Sequence, residues 1–172
     1  MPEIPKDRLK DCRETALSFL EHRERSAGEV ASHLIDKGFS REVIDKELEY
    51  LKGLHYVDDE RYCEDYFRYA MRKGRGPVRI RLELREKGID EALIQRTLEE
   101  YFNCRTEKEA ALAEAKKLLE RSCGSRSGPG FGENLDEKTM AKIGRRLASL
   151  GYHADVIYDV IGQLMKSQRE IL

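Results

Sequence analysis

The sequence predicts an all-α protein of three tandem three-helix (helix-turn-helix-like) repeats forming an elongated, curved array. Three observations carry that prediction. The segments Lys37-Gly38-Phe39, Lys87-Gly88-Ile89 and Leu150-Gly151-Tyr152 recur, each with a leucine four residues before the glycine (Leu34, Leu84, Leu147) and a β-branched residue eight before it (Val30, Ile80, Ile143). Beyond each glycine the same helix-period positions are apolar: Val43/Leu93/Val156, Ile44/Ile94/Ile157, Leu48/Leu98/Ile161 and Leu51/Tyr101/Leu164. Finally, the 172 residues are 40% hydrophobic and 38% charged, whereas roughly a quarter of residues are usually charged. Slender helices with wide solvated faces suit that composition better than one thick core.

The elements follow in order. A first helix spans about residues 7–23, with Leu9, Cys12, Ala16, Leu17 and Leu20 inward. Ser26-x-x-Glu29 reads as a capping box opening a second helix, which Gly38 ends because a left-handed C′ residue costs glycine nothing. Ser40 is a good N-cap for the third. In the second copy, Asp58-Asp59 opens a helix over about 59–72 with Tyr62, Tyr66, Phe67 and Ala70 apolar. Gly76-Pro77 starts the next, with proline at the first helical position, and Asp90 caps the third. In the last copy, Thr106-x-x-Glu109 opens a helix over about 107–121 and Asn134-x-x-Glu137 caps its successor, while His153 is a poor N-cap. The reading is nine helices in three repeats, at 1–55, 56–104 and 105–172, with a flexible loop at about 121–134. Eight of the eleven residues in Ser122–Gly132 are Ser, Gly or Pro.

Catalytic chemistry leaves no trace in the motifs. There is no G-x-S-x-G, no phosphate-binding glycine loop and no H-E-x-x-H, so the chain reads as a non-enzyme with no cofactor and no small-molecule substrate. Gly74-Arg75-Gly76-Pro77 follows a helix rather than a strand and reads as a linker and helix start. Asp58-Asp59-Glu60 reads as capping and helix-dipole acids rather than a metal site. Cys12, Cys63, Cys104 and Cys123 form no C-x-x-C pair and sit at ligand spacing from none of His22, His33, His55 and His153, so no metal is expected. The start MPEIPKDRLKD lacks the apolar stretch of a signal peptide, and no run approaches the roughly 18 apolar residues of a membrane span. A soluble cytoplasmic monomer is the expectation.

Charge placement is the informative feature. Net charge is −1, yet Arg68, Arg72, Lys73, Arg75, Arg79 and Arg81 fall in one stretch without an acid, and Arg85 and Lys87 extend it. Glu42–Glu60, in contrast, holds seven acids against Lys46 and Lys52. The middle repeat thus offers a basic surface with Tyr66 and Tyr69 nearby, and the first repeat an acidic one. Either this is a contact surface for an anionic partner or it is a solvated face balanced by the acids. Sequence-specific DNA reading by the third helices is disfavoured. One carries Glu42, Asp45, Glu47 and Glu49, the other Asp90, Glu91, Glu99 and Glu100, and phosphates would repel both.

The stretch Tyr56-Val57-Asp58-Asp59-x-Arg61-Tyr62, followed by Arg72-x-Gly74-x-Gly76-Pro77-x-Arg79-Ile80-x-x-Glu83-Leu84-x-x-Lys87-Gly88-Ile89, resembles the central signature of the bacterial regulatory protein RecX family. The ending Leu150-Gly151-Tyr152-x-x-Asp155-Val156-Ile157-x-x-Val160-Ile161 is similar to that family's last repeat. Departures are Tyr62, where phenylalanine is usual, and the Ser122–Gly132 loop. The resemblance implies a cytoplasmic modulator of the RecA recombinase that binds the groove of the RecA–DNA filament. It would limit filament extension or promote disassembly, lowering recombination and the SOS response to DNA damage. On this reading Arg68, Arg72, Lys73, Arg75, Arg79, Arg81, Arg85, Tyr66 and Tyr69 contact RecA or the single- or double-stranded DNA backbone within the filament. A general nucleic-acid-binding module and a protein adaptor unrelated to RecA are the alternatives.

Overall fold

The computed structural model describes residues 5–102, 104–123 and 137–169. Among them are nine helices and no strand: α1 (Lys6–Leu20), α2 (Ala27–Asp36), α3 (Arg41–Gly53), α4 (Asp59–Arg72), α5 (Pro77–Glu86), α6 (Glu91–Tyr101), α7 (Cys104–Cys123), α8 (Glu137–Leu150) and α9 (Ala154–Arg169). The protein is an all-α array of helical repeats.

The recurring glycines end their helices as their chemistry requires. Gly38, Gly88 and Gly151 have φ of 83°, 73° and 87°. At each, the following amide bonds the carbonyl five residues back: Phe39 to Leu34 at 3.1 Å, Ile89 to Leu84 at 3.1 Å and Tyr152 to Leu147 at 3.3 Å. The glycine amide bonds the carbonyl three back, which completes a Schellman turn. The stripe ahead of each turn is core. Val30, Ile80, Leu34, Leu84 and Leu147 are fully buried and Ile143 is nearly so. Truncating any one of these leucines to alanine costs about 2–5 kcal/mol by the usual cavity rule. A further Schellman turn closes α3 around His55, a non-glycine residue at φ 57°.

The chain divides into two compact units, Met1–Tyr66 with Glu83–Ile94, and Phe67–Leu82 with Gln95–Leu172. The core of the first joins Cys12 and Ala16 of α1, Val30 and Leu34 of α2, and Val43, Ile44 and Leu51 of α3. The core of the second joins Ala111 and Ala115 of α7, Ile143 and Leu147 of α8, and Val156, Val160 and Leu164 of α9. Phe67, also in the second unit, is fully buried with its ring 4.6 Å from Tyr101 and 5.3 Å from Phe102.

Each unit contains one joint between repeats, and the two joints are alike. In the first, the start of α2 meets the turn that ends α5. The Ser26 hydroxyl donates to the Lys87 carbonyl at 2.5 Å while accepting from the Glu29 amide at 3.1 Å. Gly28 lies against Gly88 so closely that a Cβ on Gly28 would stand 2.6 Å from the Gly88 Cα. In the second, the start of α5 meets the turn that ends α8. The Gly76 amide donates to the Leu150 carbonyl at 2.7 Å and the Val78 amide to the Gly151 carbonyl at 3.0 Å. Helix starts carry orphan donors and helix ends orphan acceptors, with dipole ends of opposite sign, so each joint satisfies both at once.

Local departures from the sequence reading have local causes. Ser40 takes the extended N-cap backbone, but its side chain makes no capping bond; Asp90 does cap, accepting from Ala92 at 2.9 Å and Leu93 at 3.3 Å. Thr106 is not an N-cap. α7 begins at Cys104, because no breaker precedes Thr106, whose hydroxyl bonds the Tyr101 carbonyl at 3.5 Å. α1 stops at Leu20 rather than near residue 23, and Arg23 turns to Glu29 at 2.7 Å. His153, a weak cap by itself, is held from α7: Glu107 accepts its backbone amide at 2.9 Å. The Asn134 cap and most of the 121–134 loop lie outside the described residues.

Candidate functional site

The sequence of α4 and α5 dictates where the basic residues point. Each helix buries one apolar stripe, Phe67 and Ala70 in α4 and Ile80 and Leu84 in α5, so the charged positions off that stripe face outward. Of the nine candidate residues, Tyr66 and Arg85 belong to the first unit and Arg68, Tyr69, Arg72, Lys73, Arg75, Arg79 and Arg81 to the second.

Within the second unit, Arg68, Arg72, Lys73 and Arg79 are exposed and Arg75 and Arg81 half-buried. Tyr69, 41% exposed, gathers two of the cations: Lys73 Nζ lies 5.7 Å and Arg75 Cζ 5.5 Å from its ring centroid. That geometry holds both charges at the α4–α5 connection by cation–π attraction. Arg79 serves the joint as well, its Nη1 donating to the Ser149 carbonyl at 3.0 Å. Arg81 is bonded to Gln95. Val78 and Leu82, 48% and 54% exposed, form an i, i+4 apolar pair on α5 among these arginines. The sequence reading did not single them out; the signal was two apolar residues off the buried stripe. An exposed apolar pair edged by guanidinium groups suits an anionic protein surface as well as a phosphate backbone.

In the first unit, the Tyr66 hydroxyl donates to Glu83 at 2.8 Å and Arg85 pairs with Glu91 at 3.4 Å. Both are thereby less available than their residue types suggest. Lys87 lies 5.5 Å from the Tyr66 ring centroid and 3.5 Å from Glu29. Glu29 is ringed by Arg23 at 2.7 Å, Lys87 at 3.5 Å and Arg25 at 3.8 Å. Burial pushes its carboxyl up, but the Arg23 and Ser26 hydrogen bonds and the Lys87 charge outweigh that and hold it below its ordinary value.

The acidic stretch is thinner on the surface than in the sequence. Glu47 is buried, 1% exposed, and clasped by Arg13 at 2.7 and 3.2 Å, while Arg13 also stacks 3.7 Å over Tyr50. Asp59 accepts from the Ala27 amide at 2.8 Å, and Asp58 caps its own helix through the Arg61 amide at 3.0 Å. Asp45 and Glu49 remain exposed on α3. Cys12 is fully buried, and burial with the nearby Glu47 charge pushes its thiol up to about 11, so it stays protonated as a core residue.

A cleft of about 530 Å³ in the first unit is lined by Arg41, Arg85 and Lys87 against Glu29, Asp36 and Glu86. Its balanced charge favours neither an anion nor a cation. Among the described residues no group of three or more His, Cys, Asp or Glu could hold a metal ion, and no helix is long and apolar enough to cross a membrane.

Two family models match this chain, RecX first three-helix domain at residues 12–51 and RecX second three-helix domain at residues 58–98. Regulatory protein RecX of Geobacillus kaustophilus is 35% identical over 159 residues, covering 87% of this chain and 57% of that protein. Its counterpart in Geobacillus thermodenitrificans is 33% identical, and this chain spans 60% of its length. Regulatory protein RecX of Legionella pneumophila strain Corby is 32% identical over 154 residues, covering 90% of this chain and 95% of that one. The crystal structure of RecX from Lactobacillus salivarius superposes with a TM-score of 0.75 at 25% identity, over 93% of this chain and 98% of the other. Two matched three-helix domains, a Legionella relative aligned over nearly its whole length and a shared fold agree, and the chain belongs to the RecX family.

Proposed function

We propose that this chain is a non-enzymatic, cytoplasmic regulator of the RecA recombinase. It binds the RecA–DNA filament in its groove and limits extension or promotes disassembly, so modulating recombination and the DNA-damage response. The observation that carries the reading is the acid-free run of cations from Arg68 to Arg81 in a chain whose relatives are named Regulatory protein RecX. Repeats at 1–55, 56–104 and 105–172 go with it: alike inside, they differ outside, and the middle one supplies the basic face. On this reading that face meets acidic RecA surface or filament DNA, and Asp45 and Glu49 of the first repeat meet basic RecA surface.

The test removes charge without touching the joint. Arg68→Ala, Arg72→Ala and Lys73→Ala are combined, and Arg79 is left in place because it bonds Ser149. Helicity is retained, and the concentration that half-inhibits RecA-catalysed ATP hydrolysis on single-stranded DNA rises on the order of tenfold, about 1.4 kcal/mol over three exposed cations. A folded triple variant that inhibits as well as the parent chain refutes the assignment. A parallel titration with DNA alone separates the alternatives: binding to free DNA at or below the inhibitory concentration favours a general nucleic-acid module. Neither DNA binding nor any effect on RecA favours an adaptor for another protein.

A further inference from the structure

Left-handed glycine turns of this kind occur at Gly38, Gly74, Gly88 and Gly151. Gly74 faces the Glu114 side chain, while Gly88 and Gly151 are each occupied by the start of another helix. Gly88 is met by Gly28 of α2, and Gly151 by Arg79 of α5, so closely that a Cβ on either glycine would overlap the arriving backbone. The Gly38 copy is open among the described residues, since a Cβ built there meets nothing within 4 Å.

We propose that the Lys37-Gly38 turn is a docking site for the capped start of a helix on a partner protein, one reading Ser-small-Gly-acid. Its chemistry matches the Lys87-Gly88 turn element by element. Lys37 stands where Lys87 stands, exposed and without an ion pair among the described residues, whereas Lys87 pairs with Glu29 of the docked helix at 3.5 Å. The Lys37 carbonyl, equivalent to the one that accepts from Ser26, accepts no hydrogen bond among the described residues. Arg8 takes the carbonyl one residue on, Gly38, at 3.2 Å and stacks 5.2 Å over Phe39, which leaves the Lys37 carbonyl clear. Ile35, 47% exposed, adds apolar area one turn back.

A second copy of this chain is not the occupant. Its Ser26-Ala27-Gly28-Glu29 start is already spent on its own Lys87-Gly88 turn. The residue of α8 that aligns with Ser26 and Gly76 is Thr139, and α8 begins ahead of it at Glu137, so no helix start exists at that register. Charge complementarity to Lys37 and the close glycine approach therefore specify a different protein with an acid at the third helical position. This inference is independent of the RecA reading and survives its failure.

The test is a nuclear magnetic resonance titration of the isotopically labelled full chain with a stapled helical peptide carrying residues 24–36. The staple is needed because so short a helix is marginal in water. Saturable amide shifts centred on Lys37, Gly38 and Phe39 are expected. A peptide with Gly28→Leu binds at least tenfold more weakly, because the glycine contact leaves no room. A Glu29→Lys peptide binds about fivefold more weakly, and Lys37→Glu in the protein restores it. Unsaturable or scattered shifts, shifts centred on Lys87–Ile89, or a Gly28→Leu peptide that binds like the parent would each overturn the proposal. So would concentration-dependent shifts at the turn without peptide, which would make a second copy the occupant.

Discussion

Substituting the same residue at two of the repeated glycines separates two costs that ordinarily arrive together. At Gly38, φ is 83° and no described residue lies within 4 Å of an added Cβ, so Gly38→Ala pays only for a left-handed alanine. That penalty is about 1–2 kcal/mol, partly offset by about 0.4–1 kcal/mol from the stiffer unfolded chain, for a net loss near 1 kcal/mol. At Gly88, φ is 73° and the new Cβ would stand 2.8 Å from the Gly28 Cα, a backbone atom that cannot swing aside. Overpacking adds about 1–3 kcal/mol, and the Ser26–Lys87 hydrogen bond is strained with it, for a total near 3 kcal/mol. In a chain of 172 residues those losses correspond to about 2–4 °C and 6–12 °C in Tm. Thermal and urea unfolding followed by far-ultraviolet circular dichroism measures both. Equal losses at the two positions would refute the claim that the joint, rather than the turn, distinguishes Gly88 from Gly38.

Three further outcomes follow from the geometry. His55→Gly relieves an exposed left-handed residue and raises stability by about 1 kcal/mol, readable as a shift in urea midpoint at unchanged slope. Arg13→Ala strands the buried Glu47 carboxylate and costs about 2 kcal/mol, less than a fully buried pair because Arg13 is 38% exposed; adding Glu47→Leu recovers at least half. Stability measured against pH tests Glu29. Its folded pKa lies below the ordinary 4.5, so its contribution is present above that value and lost as pH falls through the folded one. Glu29→Gln therefore costs more at pH 7 than at pH 3, and an equal cost at both would place the stabilisation elsewhere.

What the sequence disclosed depended on whether a cause was local. Gly38, Gly88 and Gly151 announced themselves because a Schellman helix end takes positive φ whatever surrounds it, and the leucine and β-branched stripe because a helix has a period. Glu47 was misread as a surface acid because its exposure depends on Arg13, 34 residues away. Thr106 was misplaced because a capping motif is only a preference, and an uninterrupted helix can run through it. The joints were hidden for the same reason as Glu47, although they left a trace: Ser26 and Gly76 stand at the same distance before Gly38 and Gly88. The basic run was plain, but nothing linear indicated that Tyr69 collects Lys73 and Arg75, or that Arg79 also holds a carbonyl of Ser149.

The two joints give the chain a grammar of plug and socket. The first repeat plugs into the second through Ser26 and Gly28, and the second into the third through Gly76 and Val78. Only the middle repeat carries a plug and a filled socket together. It is thus the one module whose duplication would leave every joint with a mate, its copy's plug entering a socket of the Lys-Gly type already proven inside the chain. A fourth unit appended after α9 would receive no plug from the third repeat, which has none at the Thr139 register, and one placed ahead of α1 would need only a helix start cut to fit Gly38. Growth of such a chain is directional: it extends from within or from its amino end.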